Sequence, residues 1–167
     1  MDEPTASTFR DQRFEQQFDA LFRTAIRPAH RILRQREAAE DVAAEVLARV
    51  YVDWSRLGGQ AWLDAWIVRV ATNLAIDQVR RAKRRPPVVA VGAAGELEVR
   101  WDLADAVARL PKRQREAIAL RYFGDLPEAE VAALLGISVG SVKTHVHRGM
   151  AALRSELGDS WRESLAF

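Results

Sequence analysis

At 167 residues and 49% hydrophobic content, the chain is long enough for one ordinary domain or two small ones with packed cores. No apolar run approaches the ~20 residues of a membrane span, and the absence of cysteine excludes disulfides and thiolate metal sites and suits a reducing cytosol. Twenty-five basic residues against 23 acidic leave a net charge of +2, so any electrostatic partner has to be read from where the charges lie.

The N-terminal stretch MDEPTASTFRDQRF is polar and acidic, without the basic-then-apolar layout of a secretory signal. Residues 1–10 read as a frayed tail. From about Phe14, the recurrence of Phe14, Phe18, Leu21, Phe22, Ala25 and Ile26 predicts a helix. Pro28 either ends or kinks it, because proline has no N–H to donate along the helix. A second helix is predicted over 36–54, where Val42, Val46, Val50 and Trp54 form an apolar stripe with Leu47 and Tyr51 beside it. Glu37, Glu40, Asp41 and Glu45 make the other side of its first half acidic. Such acids complement the helix dipole, and that alone accounts for them. A ridge facing a partner is the sharper reading.

Gly-Gly content makes residues 55–60 a loop. In the helix that follows, Leu63, Ile67, Val70 and Leu74 share a core face. Trp62, Trp66, Arg69, Asn73, Asp77, Arg80 and Arg84 fall on a different face, three or four residues apart. Aromatic rings, an amide and guanidinium groups along one strip are what a nucleic-acid surface needs, since bases stack on rings and phosphates meet cations. The plain alternative puts the tryptophans in the core and only the arginines in solvent. The RRAKRR run at 80–85 has too little acid nearby to be a neutralised helix end, and marks a phosphate footprint.

Pro86-Pro87 stops that helix, and the aperiodic stretch to about residue 100 reads as an inter-domain linker. Beyond it two helices split at Pro111, the first lined by Leu103, Val107 and Leu110, the second by Ile118, Ala119, Tyr122 and Phe123. They lead into LPEAEVAALLGISVGSVKTHVHRGMAAL, residues 126–153, which reads as two helices around a tight turn. Val131, Leu134 and Leu135 are the apolar positions of the first, and Gly136 can end it in the left-handed conformation. Ile137 plugs the corner and Ser138 is a good N-cap for the second helix. There Val142, Val146, Gly149 and Leu153 face inward, while Gly140, Lys143, Thr144, His147 and Arg148 face out. A buried seam with an outward cationic, hydrogen-bonding strip suits the DNA major groove. An ordinary helix pair with a solvated face is the bland alternative.

Four stretches in this order, AAEDVAAEVLARVY, WIVRVATNLAIDQVRRAKRR, LPKRQREAIALRYF and GISVGSVKTHVHRGMAALR, resemble the bacterial sigma-70 family. The likeness is to the small extracytoplasmic-function (ECF) type of RNA polymerase sigma factor, covers about residues 12–157, and is greatest to actinobacterial members in VGSVKTHVHR and LRYFGDLPEAEVA. It implies an all-α fold of two small helical domains: a region 2-like domain over 11–85, a linker over 86–100, and a region 4-like helix-turn-helix domain over 101–157. By the same resemblance, Asp41, Glu45 and Leu47 dock on the β′ clamp helices of core polymerase, and the C-terminal domain meets its β flap. The −10 promoter element falls to the 55–60 loop and to Trp62, Trp66, Arg69, Asn73, Arg80 and Arg81. Asn73 is similar to a position lining the pocket for a flipped base, with Arg69, Arg80 and Arg81 holding the backbone. Lys143, Thr144, His147 and Arg148 look like the −35 readers.

The implied partners are core polymerase, promoter DNA and an anti-sigma protein, in the cytoplasm, with no cofactor, metal, catalytic residue or membrane. Three other readings compete. A DNA-binding regulator without polymerase contact leaves the arginine and aromatic helix unexplained. An enzyme or metal protein built on His30, His145 and His147 lacks a completed ligand set, because His145 and His147 point to different sides of one helix. A helical interaction module that never touches DNA requires the RRAKRR run to be basic by chance.

Overall fold

The computed structural model describes residues 6–84 and 103–158, and among these every regular element is helical. In chain order they are α1 (Ala6–Leu33), α2 (Arg36–Val52), the single turn α3 (Trp54–Leu57), α4 (Leu63–Arg84), α5 (103–109), α6 (Lys112–Ile118), α7 (Glu128–Leu135) and α8 (Val139–Leu157). A wide π-type turn, Ala119–Phe123, extends α6. The stretch 86–100, expected to be a linker, lies outside the described residues, as do 159–167.

α1 and α2 are joined only by Arg34 and Gln35. Arg34 takes a left-handed φ of 54°, which reverses the chain. The Tyr51 hydroxyl donates to Asp11 at 3.0 Å, tying the start of α1 to the end of α2, so the pair is antiparallel. Alanines let the rods approach closely: Ala25 and Ala29 of α1, Ala39 and Ala43 of α2, and Ala71 and Ala75 of α4 are completely buried. At the open end Phe14 packs edge-on against Tyr51 and Trp54, with ring centroids 5.0 and 5.2 Å away.

Three differences from the sequence reading have local causes. α1 starts at Ala6, not near Phe14, so residues 6–10, read as part of a frayed tail, are helical: 6–13 contain no glycine or proline and are helix-permissive even without an apolar stripe. It also runs through Pro28, whose buried ring is held by packing although the Thr24 carbonyl loses its backbone donor. The loop after α2 is shorter than residues 55–60, since Trp54 and Leu57 both bury and pull one helical turn onto the core. The backbone N–H groups of Arg56 and Leu57 donate to the Asp53 carbonyl at 2.9 Å.

In the C-terminal half, α5 and α6 meet at Pro111, and α6 with its π turn carries Ala117, Ile118, Leu120 and Phe123 inward. α7 ends at Gly136, whose φ of 63° closes the turn. Ser138 then caps α8, its hydroxyl accepting from the Ser141 N–H at 3.1 Å. The core does not divide with the sequence. Leu103, Val107, Ile118, Phe123 and Leu153 join the α1–α4 cluster, and Val68 of α4 joins the cluster of Leu120, Val131, Leu135 and Val142.

Candidate nucleic-acid interface

α8 presents its polar strip because its apolar positions are spent on the interior. Val142, Gly149 and Leu153 are buried and Val146 is partly buried, so Gly140, Lys143, Thr144, His147 and Arg148, on the opposite side, are all exposed. Lys143 Nζ lies 3.8 Å from the Glu128 carboxylate of α7, a loose surface pair that solvent screens. The Thr144 hydroxyl donates to the Gly140 carbonyl at 3.0 Å, which leaves its oxygen lone pairs facing outward as acceptors. His145 is half-buried and its Nδ1 has no hydrogen-bond partner among the described residues. Donors, acceptors and two fixed cations thus line one exposed helix that follows a left-handed turn.

A second strip runs along α4. Trp62, 45% exposed, stands clear of the core, whereas Trp66 is half-buried and packs against it. Arg69 and Asn73 are half-buried and line a cleft of about 340 Å³ together with Asp77 and Arg80 of the same helix and Lys112 and Arg115 of α6. Arg80 is 3.8 Å from Asp77, too far for a hydrogen bond, and Arg81 is exposed. The side chains of residues 83–85 in the basic run lie outside those described. Of the predicted strip, Trp62 and Asp77 are exposed, Arg69, Asn73 and Arg80 are half-buried along the cleft, and Trp66 is shared between surface and core.

On α2, Asp41 and Glu45 are exposed, and Glu45 accepts from Arg49 at 2.5 Å. Leu47 corrects the sequence reading: it is 3% exposed and packs in the core, so it shapes the ridge from beneath and offers no docking surface. The stripe placed it beside the buried positions, and in the structure it joins Val42, Val46, Val50 and Trp54 in the core cluster.

Arg31, Val68 and Glu116 carry the seam between the two halves and were not singled out from the sequence. The Arg31 guanidinium donates to the carbonyls of Tyr122 at 3.5 Å and Phe123 at 3.3 Å, and lies 3.6 Å from Asp125. Glu116 accepts from Arg69 at 2.7 Å. A signal for it exists: Glu116 precedes Ala119, Leu120 and Phe123 at helical spacing, and a carboxylate on an apolar stripe demands a cationic partner.

A chain whose described elements are all helical, and whose C-terminal half carries a helix-turn-helix with an exposed cationic strip, is a DNA-binding protein by class. Residues 18–85 match the family description Sigma-70 region 2, and residues 100–153 match Sigma-70, region 4. The chain is 32% identical over 151 residues to the ECF RNA polymerase sigma factor SigW of Bacillus subtilis, covering 78% of this chain and 81% of that one. It is 31% identical over 151 residues to SigM of Mycobacterium tuberculosis, covering 84% and 77% respectively. In fold it is similar to the sigma factor RpoE solved in complex with the anti-sigma factor NepR from Bartonella quintana, with TM-score 0.55, 22% identity, and 87% of this chain and 97% of that one covered. CnrH, solved in complex with the cytosolic domain of CnrY, gives TM-score 0.56 at 23% identity over 85% of each chain. The chain belongs to the sigma-70 family, as an RNA polymerase sigma factor of the ECF type that directs transcription initiation.

Proposed function

We propose that this sigma factor grips a promoter at two places and core polymerase at a third. Lys143, Thr144, His147 and Arg148 of α8 read the −35 element in the major groove. Trp62, Trp66, Asn73 and the arginines 69, 80 and 81 capture the −10 strand, with Asn73 in the cleft that receives an unstacked base. Asp41 and Glu45 dock on the β′ clamp helices, and the C-terminal unit meets the β flap. The working division is a region 2-like unit over 11–85, a linker over 86–100 and a region 4-like unit over 101–157.

One observation supports this most: α8 displays exposed cationic and hydrogen-bonding side chains on the face opposite its buried residues, and on α4 half-buried Arg69, Asn73 and Arg80 line one cleft beside exposed Arg81. The protein holds and melts DNA for the polymerase and does no bond chemistry itself, and its place of work is the cytoplasm. Among the described residues no helix is long and apolar enough to cross a membrane. An anti-sigma protein as a further partner is supported by the Bartonella relative's complex.

Run-off transcription with purified core polymerase and a pool of random promoters tests the reading and returns the recognised sequence. Transcripts that depend on this chain are expected. Failure both to bind core and to initiate from any template overturns the reading, and DNA binding without core binding leaves a helix-turn-helix regulator instead.

A further inference from the structure

α8 carries a glycine that the fold does not require. Gly140 is exposed in the first turn of the helix, after the Ser138 cap and Val139. The other described glycines either take a positive φ, as Gly136 does, or would set a Cβ 2.9 Å or less from a neighbour, as Gly149 would against Ile118. Gly140 does neither. It has no positive φ, and a Cβ built on it meets only the Ser138 hydroxyl oxygen, at 3.8 Å, an ordinary contact. Alanine would fit there and would favour the helix, since glycine loses more backbone freedom on folding than any other residue. Nothing in the packing offsets that cost.

The place of the gap indicates what fills it. At about 100° per residue, Gly140 falls on the centre line of the outward strip, with Thr144 and His147 on the next two turns and Lys143 and Arg148 to either side. The Thr144 hydroxyl proton is committed to the Gly140 carbonyl at 3.0 Å, so that hydroxyl has no proton left to donate to a base at this point. What the first turn offers is room. Val139 stands at one flank of it, an apolar side chain left 40% exposed. The first residues of a helix lying in the major groove are those that reach base edges. A hollow with an apolar wall suits a methyl group, and the methyl that the major groove presents is the 5-methyl of thymine.

We infer that Gly140 is a seat for a thymine methyl: the missing side chain lets one 5-methyl of the −35 duplex sink against the α8 backbone beside Val139, and selects thymine at that base pair by shape. The inference rests on the −35 reading of α8. It adds to the cationic strip a contact that carries no charge and makes no hydrogen bond.

The test uses holoenzyme assembled from purified core polymerase and the full chain, on a promoter fragment recovered from the random pool. Each thymine in the upstream half of that fragment is replaced in turn by uracil, which removes the methyl and keeps every hydrogen-bonding group. One replacement is expected to weaken binding about fourfold, the effect of exposing one buried methyl group. Gly140→Ala is expected to bind the thymine fragment about tenfold more weakly and to lose the preference for thymine over uracil at that position. The denaturation midpoint of the free variant is expected to stay in place or rise. A lowered midpoint gives Gly140 a role inside the fold and overturns the inference. So does a parent protein indifferent to every uracil, or a variant that keeps the preference, which sets sugar and phosphate against the glycine in place of a methyl. Lys143→Ala and Arg148→Ala separate the two levels. If neither weakens binding to the same fragment, the −35 reading itself fails; if either does while Gly140→Ala binds as the parent, only the methyl seat is rejected.

Discussion

Gly149 of α8 passes so close to Ile118 of α6 that a Cβ built on it would stand 2.5 Å from the Ile118 Cδ1 atom. Glycine inside a helix costs about 1 kcal/mol relative to alanine, so its presence here is explained by the approach of the two helices. Gly149→Val adds three carbons where there is no room and is expected to destabilise the fold by about 1–3 kcal/mol, read by chemical denaturation. Wild-type stability for that variant would mean that α6 and α8 do not pack as described.

Leu47 and Glu45 sit two residues apart on α2 and should separate cleanly. Leu47→Ala removes a buried side chain and is expected to cost about 2–5 kcal/mol of stability. Glu45→Ala loses only an exposed pair with Arg49, worth about 0.3–0.5 kcal/mol. If the acidic ridge docks on polymerase, it is Glu45→Ala that weakens core binding in a pull-down with purified subunits while its melting curve stays in place.

If α8 reads the −35 element, Arg148→Ala or Lys143→Ala is expected to weaken binding to a −35 duplex by about 1–3 kcal/mol where the side chain meets a base edge, and to relax the preference at that position. Lys143 gives up little internally, since its only described partner is an exposed carboxylate at 3.8 Å. Transcription from −35-dependent promoters that is indifferent to both changes removes α8 from the role.

Replacing Arg80 and Arg81 together with alanine has a different signature. Neither is committed to a tight internal pair, so their charge is available to phosphates. Binding should fall on every promoter alike, and the dependence of log K on log salt should flatten by roughly one unit for each phosphate no longer neutralised. An unaltered slope places both side chains in solvent only.

Much of this organisation was legible because it obeys one-dimensional rules. Periodicity located α2, α4 and α8, and Gly136 with Ser138 marked the turn between α7 and α8, which the φ of 63° and the Ser138 cap bear out. The outward face of α8 followed from the inward one. The boundaries that slipped did so where tertiary packing overruled local preference, as at Pro28, kept in mid-helix by a buried ring, and at Trp54–Leu57, drawn into a turn by two buried side chains. Least legible was the seam. Arg69 and Glu116 stand 47 residues apart, and nothing in either helix announces the other. A carboxylate on an apolar stripe says that a cation is near without saying which one, and α4 alone offers several.

The π turn at Ala119–Phe123 carries a consequence for the shape of the whole molecule. Its closing bond, from the Gly124 N–H to the Ala119 carbonyl at 3.0 Å, spans five residues where an α-helix would span four. Each residue of an α-helix turns the chain by about 100°. Excising one residue there would regularise the spiral and swing α7 and α8 around its axis, aiming the Lys143 and Arg148 face at a different bearing from the α4 strip. That single surplus residue acts as an angular spacer, fixing the direction from which a bent or straight duplex could be met by both halves at once.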